Sequence, residues 1–343
     1  MLKFSRFHLL LILSLILVSC SKDSEPNEGT QQPEEQVIED EFQYIALRND
    51  GKLFTIVDES GVVEPAGSIP NLEFNTIFNT VTTSSENTYI YESWFDPPQS
   101  RLFIRNRRTG NSEMVRLEFP EEFGNIPGFM SLDWDENQNN LIGIIRHEFD
   151  SPSTDKPVKI ARIDPDTYEI QVLENLDLNT LGYQNVFSSQ LIDQKIYVSA
   201  SKNSRISDAD LLEVDLSNKT IKVLSQDSIE TGLVNLAAIP NTNKLLGFAP
   251  QLNTGYAGAV KPYIYDITME ELTLIDAVPR ISGLHFANKT FVNYDSKELI
   301  ALIVREGHGL FKYDYQTGEF EIIPVKNSED LSSMVAIIDV IKL

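Results

Sequence analysis

One hairpin pattern recurs six times along this 343-residue chain, and no other feature constrains its fold as much. An alternating strand runs into an Asp or Asn, turns, and leads into a second strand. The copies are KLFTIVDESGVVEP from Lys52, RLFIRNRRTGNSEMVRL from Arg101, KIARIDPDTYEIQVL from Lys159, LLEVDLSNKTIKVL from Leu211, YIYDITMEELTLI from Tyr263 and LFKYDYQTGEFEII from Leu310. The residues at the turns, Asp58, Asn106, Asp164, Asp215, Asp266 and Asp314, follow one another at 48, 58, 51, 51 and 48 residues. Asp and Asn suit that position because the side chain accepts from the backbone two residues on. Gly110 and Gly318 can supply positive φ near the turn's end. Upstream of each hairpin lies another apolar strand, such as YIALR from Tyr44, LIGIIR from Leu141 and ELIALIVR from Glu298. Before most of these sits a fourth. No stretch sustains helical periodicity. Four strands in each of six repeats predict an all-β, six-bladed β-propeller over 42–343. Blade one lacks its first strand, and SMVAIIDVIKL from Ser333 is one strand too many after blade six. Pairing the two would close the ring and remove a bare sheet edge.

The N-terminus reads as an address. Lys3 and Arg6 precede an apolar run from Phe7 to Val18 that is too short to span a bilayer but has the length of a signal-peptide core. It ends in Leu17-Val18-Ser19-Cys20, with the one cysteine of the chain. This resembles the lipobox of bacterial lipoproteins, which implies removal of 1–19, lipidation of Cys20 with palmitate-type chains, and firm anchoring through several acyl chains. Residues 21–41 carry eight acidic side chains against Lys22, with two prolines and almost nothing apolar, so 20–41 is predicted to be a disordered tether. Acidic residues directly after the cysteine resemble the surface-export signal of Bacteroidota lipoproteins, implying an outer-membrane, cell-surface location. The repeat architecture itself resembles six-bladed TolB-like propellers, and that resemblance stops at architecture.

Composition excludes several partners. A formal charge of -23 argues against nucleic acid and against binding anionic lipid through the protein surface, which leaves the lipid anchor as the expected membrane contact. One cysteine excludes a disulfide framework. There is no G-x-S-x-G elbow, phosphate loop or H-E-x-x-H motif, so no catalytic residue, metal or cofactor is expected.

Function on a propeller is placed in its loops. The turns joining first to second and third to fourth strands are short. The loops joining second to third strands are long in the middle blades: 93–100, 147–158, 201–210 and 250–261. Arg48, Arg146 and Arg305 end second strands in blades one, three and six, where guanidinium forks would suit a planar anion; the alternative is pairing with local acids. Trp94, beside Pro97 and Pro98, and Tyr256, between glycines, are expected as aromatic platforms for a sugar ring or a protein partner. Trp94 folding back into a groove between blades is the structural alternative. His147 and His308 are expected in the loops of blades three and six, as ligand contacts or as solvated side chains. The oxygen-rich run Asp133 to Asn139 imitates a calcium loop but lacks its glycine and terminal glutamate. Three classes of function follow. The first is a non-catalytic lipoprotein that binds a glycan or an outer-membrane protein partner. The second is an enzyme, a polysaccharide lyase or hydrolase or a lactonase-like metal enzyme, using His147, Glu148 and Tyr256. A periplasm-facing assembly factor is the third possibility.

Overall fold

The computed structural model describes residues 41–72, 80–147, 156–224, 232–250, 260–279, 281–284, 289–304, 307–328, 331 and 335–343. All lie in the unit Asp40–Leu343. The signal segment, Cys20 and the tether up to residue 40 are outside the described residues, as are Tyr256 and Arg305.

Blade one contributes β1 (Phe42–Arg48), β2 (Lys52–Val57) and β3 (Val63–Ser68). Blade two holds β4 (Thr80–Thr83), β5 (Asn87–Phe95), β6 (Pro98–Asn106) and β7 (Ser112–Leu117). Blade three holds β8 (Gly128–Asp135), β9 (Asn140–Arg146), β10 (Val158–Ile163) and β11 (Ile170–Asp177). Blade four is β12 (Asn185–Ile192), β13 (Lys195–Ser201), β14 (Ala209–Asp215) and β15 (Thr220–Leu224). Blade five is β16 (Val234–Ile239), β17 (Lys244–Pro250), β18 (Val260–Asp266) and β19 (Glu271–Leu274). In blade six the inner strand is split into β20 (Gly283–Leu284) and β21 (Phe291–Asn293), both pairing β22 (Glu298–Val304), followed by β23 (His308–Asp314) and β24 (Phe320–Pro324). The last strand, β25 (Val335–Lys342), pairs antiparallel with β1 from Phe42↔Lys342 to Arg48↔Val335 and serves as blade one's innermost strand. Inner strands contact one another in the order β25, β4, β8, β12, β16 and the blade-six strands, which close back on β25. The chain is a six-bladed β-propeller closed by its C-terminal strand.

Blades stack face to face, so both faces of a second strand are buried. This is why β9, β13 and β22 read as nearly continuous apolar runs rather than alternating ones. The outermost strands β3 and β19 are largely exposed. Among the described residues the buried apolar side chains form six clusters, one between each pair of neighbouring blades. The cluster between blades six and one, with Tyr44, Phe54, Ile300, Leu310 and Ile337, spans the closure. Gly143 on β9 makes room for its inner neighbour: a Cβ there would stand 2.4 Å from the Phe129 ring.

The expected turn chemistry holds in five hairpins. Asp164, Asp215, Asp266 and Asp314 each accept from the amides two and three residues on, and Asn106 accepts from the Thr109 amide, three residues on. Gly110 and Gly318 have φ of 74° and 79°. Asp58 departs from the pattern. It is buried and paired with Lys312 of blade six at 2.9 Å; Lys312 also reaches Glu298 at 3.0 Å. On the other side of the closing blade, Asp339 of β25 takes Arg105 at 3.0 Å and Arg107 at 2.7 Å from blade two.

Burial, with the Asp58 charge beside it, pushes the Glu298 carboxyl above its ordinary value. Replacing Lys312 by Met leaves the buried Asp58 carboxylate beside the partly buried one of Glu298 with no cation between them, so K312M should lose about 3–5 kcal/mol in urea unfolding. E298Q should lose far less. A carboxyl whose folded pKa is raised weakens the fold as pH climbs from its unfolded value, about 4.3, through the folded one. The stability that Glu298 contributes should therefore be lost across that window, and E298Q should remove that component from thermal melts taken as a function of pH.

Candidate functional site

The loops joining second to third strands and the crossings between blades share one face, called here the upper face. The segment 93–100 is not a loop on that face. β5 and β6 each run nine residues and stay paired through Trp94↔Gln99 and Phe95↔Pro98, with Asp96 and Pro97 at the tip and a cis bond between them. The proline pair caps a hairpin that rises above its neighbours, whose second strands span seven residues in blades one, three, four, five and six.

Alternation decides what each side of this hairpin meets. Ile90 and Phe103, on one face, pack with blade one, whereas Tyr89, Tyr91 and Leu102, on the other, pack with blade three. Trp94, Glu92 and Arg101 share the first face. The Arg101 guanidinium lies 4.9 Å from the Trp94 ring and 5.5 Å from that of Phe103, and it ion-pairs with Glu92, which is fully buried. A cation stacked on the indole and tied from below holds a half-buried Trp94 in one orientation. The Trp94 Nε1 is buried with no hydrogen-bond partner.

Beside the hairpin runs the crossing 118–127 from β7 to β8. Phe119 sits 4.9 Å from Phe129 and 6.5 Å from Tyr91, and the short 3-10 turn Glu121–Phe123 buries Phe123. Between crossing and hairpin opens a cleft of about 180 Å³, lined by Ser93, Trp94, Gln99 and Ser100 on one wall and Phe119, Asn125 and Ile126 on the other. The Ser100 hydroxyl is 3.0 Å from that of Tyr91.

The other expected residues are dispersed. Arg48 grips Asp50 through two hydrogen bonds of 2.8 and 2.6 Å and covers Phe54 at 5.2 Å. This pairing holds the Asp50 carboxyl well below the usual range. Arg146 ends β9 half-buried, and burial draws its pKa down. His147 follows it with Nδ1 buried. His308 is the first residue of β23, paired with Val304 rather than carried in a loop, and burial lowers its pKa. Blades three and six are opposite in the ring, so His147 and His308 do not meet. In the oxygen-rich run, Asp135 accepts from the amides of Asn137 and Gln138 as a turn, and Asp133 points away into the central channel.

The channel carries a feature that sequence reasoning missed. Lys289 of blade six reaches across the axis to the Asp133 carboxylate of blade three at 2.6 Å, and to the Leu132 carbonyl. Ser189 of blade four donates to the same carboxylate at 2.5 Å. Around this brace, hydroxyls stitch neighbouring inner strands. Thr80 accepts from the Leu132 amide, Ser188 from that of Leu236, and Thr290 donates to the Asn235 carbonyl. Lys289 and Asp133 are 156 residues apart, and no local pattern links them.

No family model and no curated protein matches the sequence. Solved structures do resemble the fold. An oligogalacturonate lyase in complex with manganese is 14% identical, over 83% of this chain and 79% of its own, with a TM-score of 0.50. An oligogalacturonate lyase from Vibrio parahaemolyticus is 11% identical, over 82% of this chain and 79% of its own, at 0.49. A Trypanosoma rangeli sialidase is 14% identical, over 82% of this chain and 53% of its own, at 0.48. At these identities the likeness concerns the fold alone.

The Arg101 stack yields a direct test. R101M leaves the buried Glu92 without its cation and should cost about 3–5 kcal/mol of stability. It should also shift the emission of Trp94, read in a W134F background because the chain has two tryptophans. Unchanged unfolding and unchanged emission would show that the pair does not hold the indole.

Proposed function

We propose that this protein is a lipid-anchored, outer-membrane lipoprotein whose propeller binds a saccharide, without catalysis, through its upper face. The observation that carries the reading is the Trp94 cleft. Trp94, oriented by Arg101 on the hairpin's other face, and Gln99 border it from the hairpin tip, Phe119 forms the aromatic wall opposite, and Ser93, Ser100 and Asn125 add hydroxyl and amide groups to the lining. Rigid aromatics with a few convergent polar groups are what sugar rings and protein hot spots both use. The brace at the axis favours binding over chemistry there. An enzyme of the kind considered needs acids or histidines converging on the channel, and Asp133 is already occupied by Lys289 and Ser189.

In this reading Cys20 carries the anchor and 20–41 is the tether that displays the ring. Arg146, His147 and His308, with Tyr256 and Arg305 outside the described residues, are secondary contacts on the same face. Arg48 contributes less, because its fork is engaged by Asp50.

Full-length protein in detergent should bind members of an oligosaccharide panel, and W94A should weaken that binding by about tenfold or more, the mark of an aromatic hot spot. A Y256A variant should add to the loss. Capture of one outer-membrane protein by cross-linking of intact cells, with no saccharide bound, would replace the glycan by a protein partner. Turnover of any panel member would overturn the non-catalytic reading. C20A should abolish membrane retention in cell fractionation.

A further inference from the structure

We propose that the Trp94 cleft takes an uncharged, hydroxyl-rich sugar unit and rejects uronates, an inference that rests on reading the cleft as a saccharide site. None of the side chains lining it is ionisable. Its polar groups are the hydroxyls of Ser93 and Ser100 and the amides of Gln99 and Asn125. Hydroxyls and amides both donate and accept, as sugar hydroxyls do, whereas a carboxylate accepts only and is best met by Arg or Lys.

No basic side chain is among the residues lining the cleft. Arg101 of the hairpin is bound to buried Glu92 and lies against the rings of Trp94 and Phe103. Turning it toward a ligand would break its ion pair with the buried Glu92 carboxylate, which is strongly unfavourable. Arg116 neighbours the lining residue Leu117 on β7, and by alternation it projects from the opposite face of that strand.

The charges carried by the crossing that borders the cleft have the wrong sign for a uronate. The crossing that forms its second wall exposes Glu118, Glu121 and Glu122. Lys159 engages Glu122 at 2.7 Å, and no ion pair among the described residues engages the other two. A carboxylated sugar would approach past exposed like charges with no counter-charge waiting inside. Like-charge juxtaposition is how a site rejects a partner as well as how it loses affinity. At about 180 Å³ the cleft is also smaller than the ~300–1,000 Å³ of sites that enclose a drug-sized ligand, so it fits one unit of a chain. The architecture shared with oligogalacturonate lyases therefore does not bring their polyanionic ligand with it.

The experiment titrates full-length protein in detergent with galactose-, mannose- and glucose-based oligosaccharides and with oligogalacturonate of matching length, at low and at physiological salt. The expected result is binding of a neutral oligosaccharide that W94A and Q99L each weaken about tenfold or more. Oligogalacturonate should bind at least about tenfold more weakly than its galactose counterpart, most of all at low salt, where repulsion is least screened. An E118Q/E121Q variant should narrow that gap. Oligogalacturonate binding as tightly as the neutral sugars, and abolished by W94A, would overturn this inference while leaving the saccharide site standing. Binding of neither class, or neutral binding that W94A leaves intact, would overturn the site reading and this inference with it.

Discussion

The ring stands on the pairing of β25 with β1. A propeller blade is apolar on both faces and finds its partners in the blades to either side, so an open row of blades would leave two such faces bare to water. Seven paired residues between Phe42–Arg48 and the C-terminal strand supply blade one with its inner edge and bring blade six against it. The cluster around Tyr44, Phe54, Ile300 and Ile337 can form because of that join. Charge is placed accordingly. Lys312 ties blade six to Asp58 on one side of the closing blade, and Arg105 with Arg107 ties blade two to Asp339 on the other. Buried ion pairs add little net stability compared with apolar packing, but a wrong register would strand their charges. At the one blade built from both ends of the chain, that selectivity has the most to offer.

The same geometry sets an ion pair across the axis and a long hairpin on the upper face. Inner-strand hydroxyls and the Lys289–Asp133 pair link neighbouring and opposite blades across the channel. At the rim, one hairpin is longer than its neighbours and one crossing is stiffened by Phe119 and Phe123 packed beneath it. The cleft between them is formed by segments from consecutive blades, so its shape depends on how blades two and three are stacked. The indole at its edge is oriented by a stack of cation and carboxylate that belongs to the seam on the other side of the hairpin.

Much of the fold was legible because its signals are local. Strand alternation, the Asp or Asn at each turn and the spacing near fifty residues are properties of short segments, and five of six turns used their side chain as expected. Asp58 looks identical in sequence, yet Lys312, 254 residues away, recruits it into the closure. The site was legible in part. Trp94 stood out as an aromatic beside prolines, but Pro97 and Pro98 suggested a loop where cross-strand pairing continues to the tip. Phe119 and Asn125 carried no signal, since a crossing between blades has no periodicity to read.

What the sequence determined by itself is the number of blades, the direction of closure and the acidic character of the surface, because each follows from residue order and count. The tertiary structure alone decided which charges are spent on holding blades together and which remain to meet a ligand. Arg101 and Lys289 are unremarkable in the sequence; one is committed to Glu92 and the other to Asp133. Those partners arrive through strand pairing and ring geometry, and an ion pair forms where three-dimensional proximity outweighs separation along the chain.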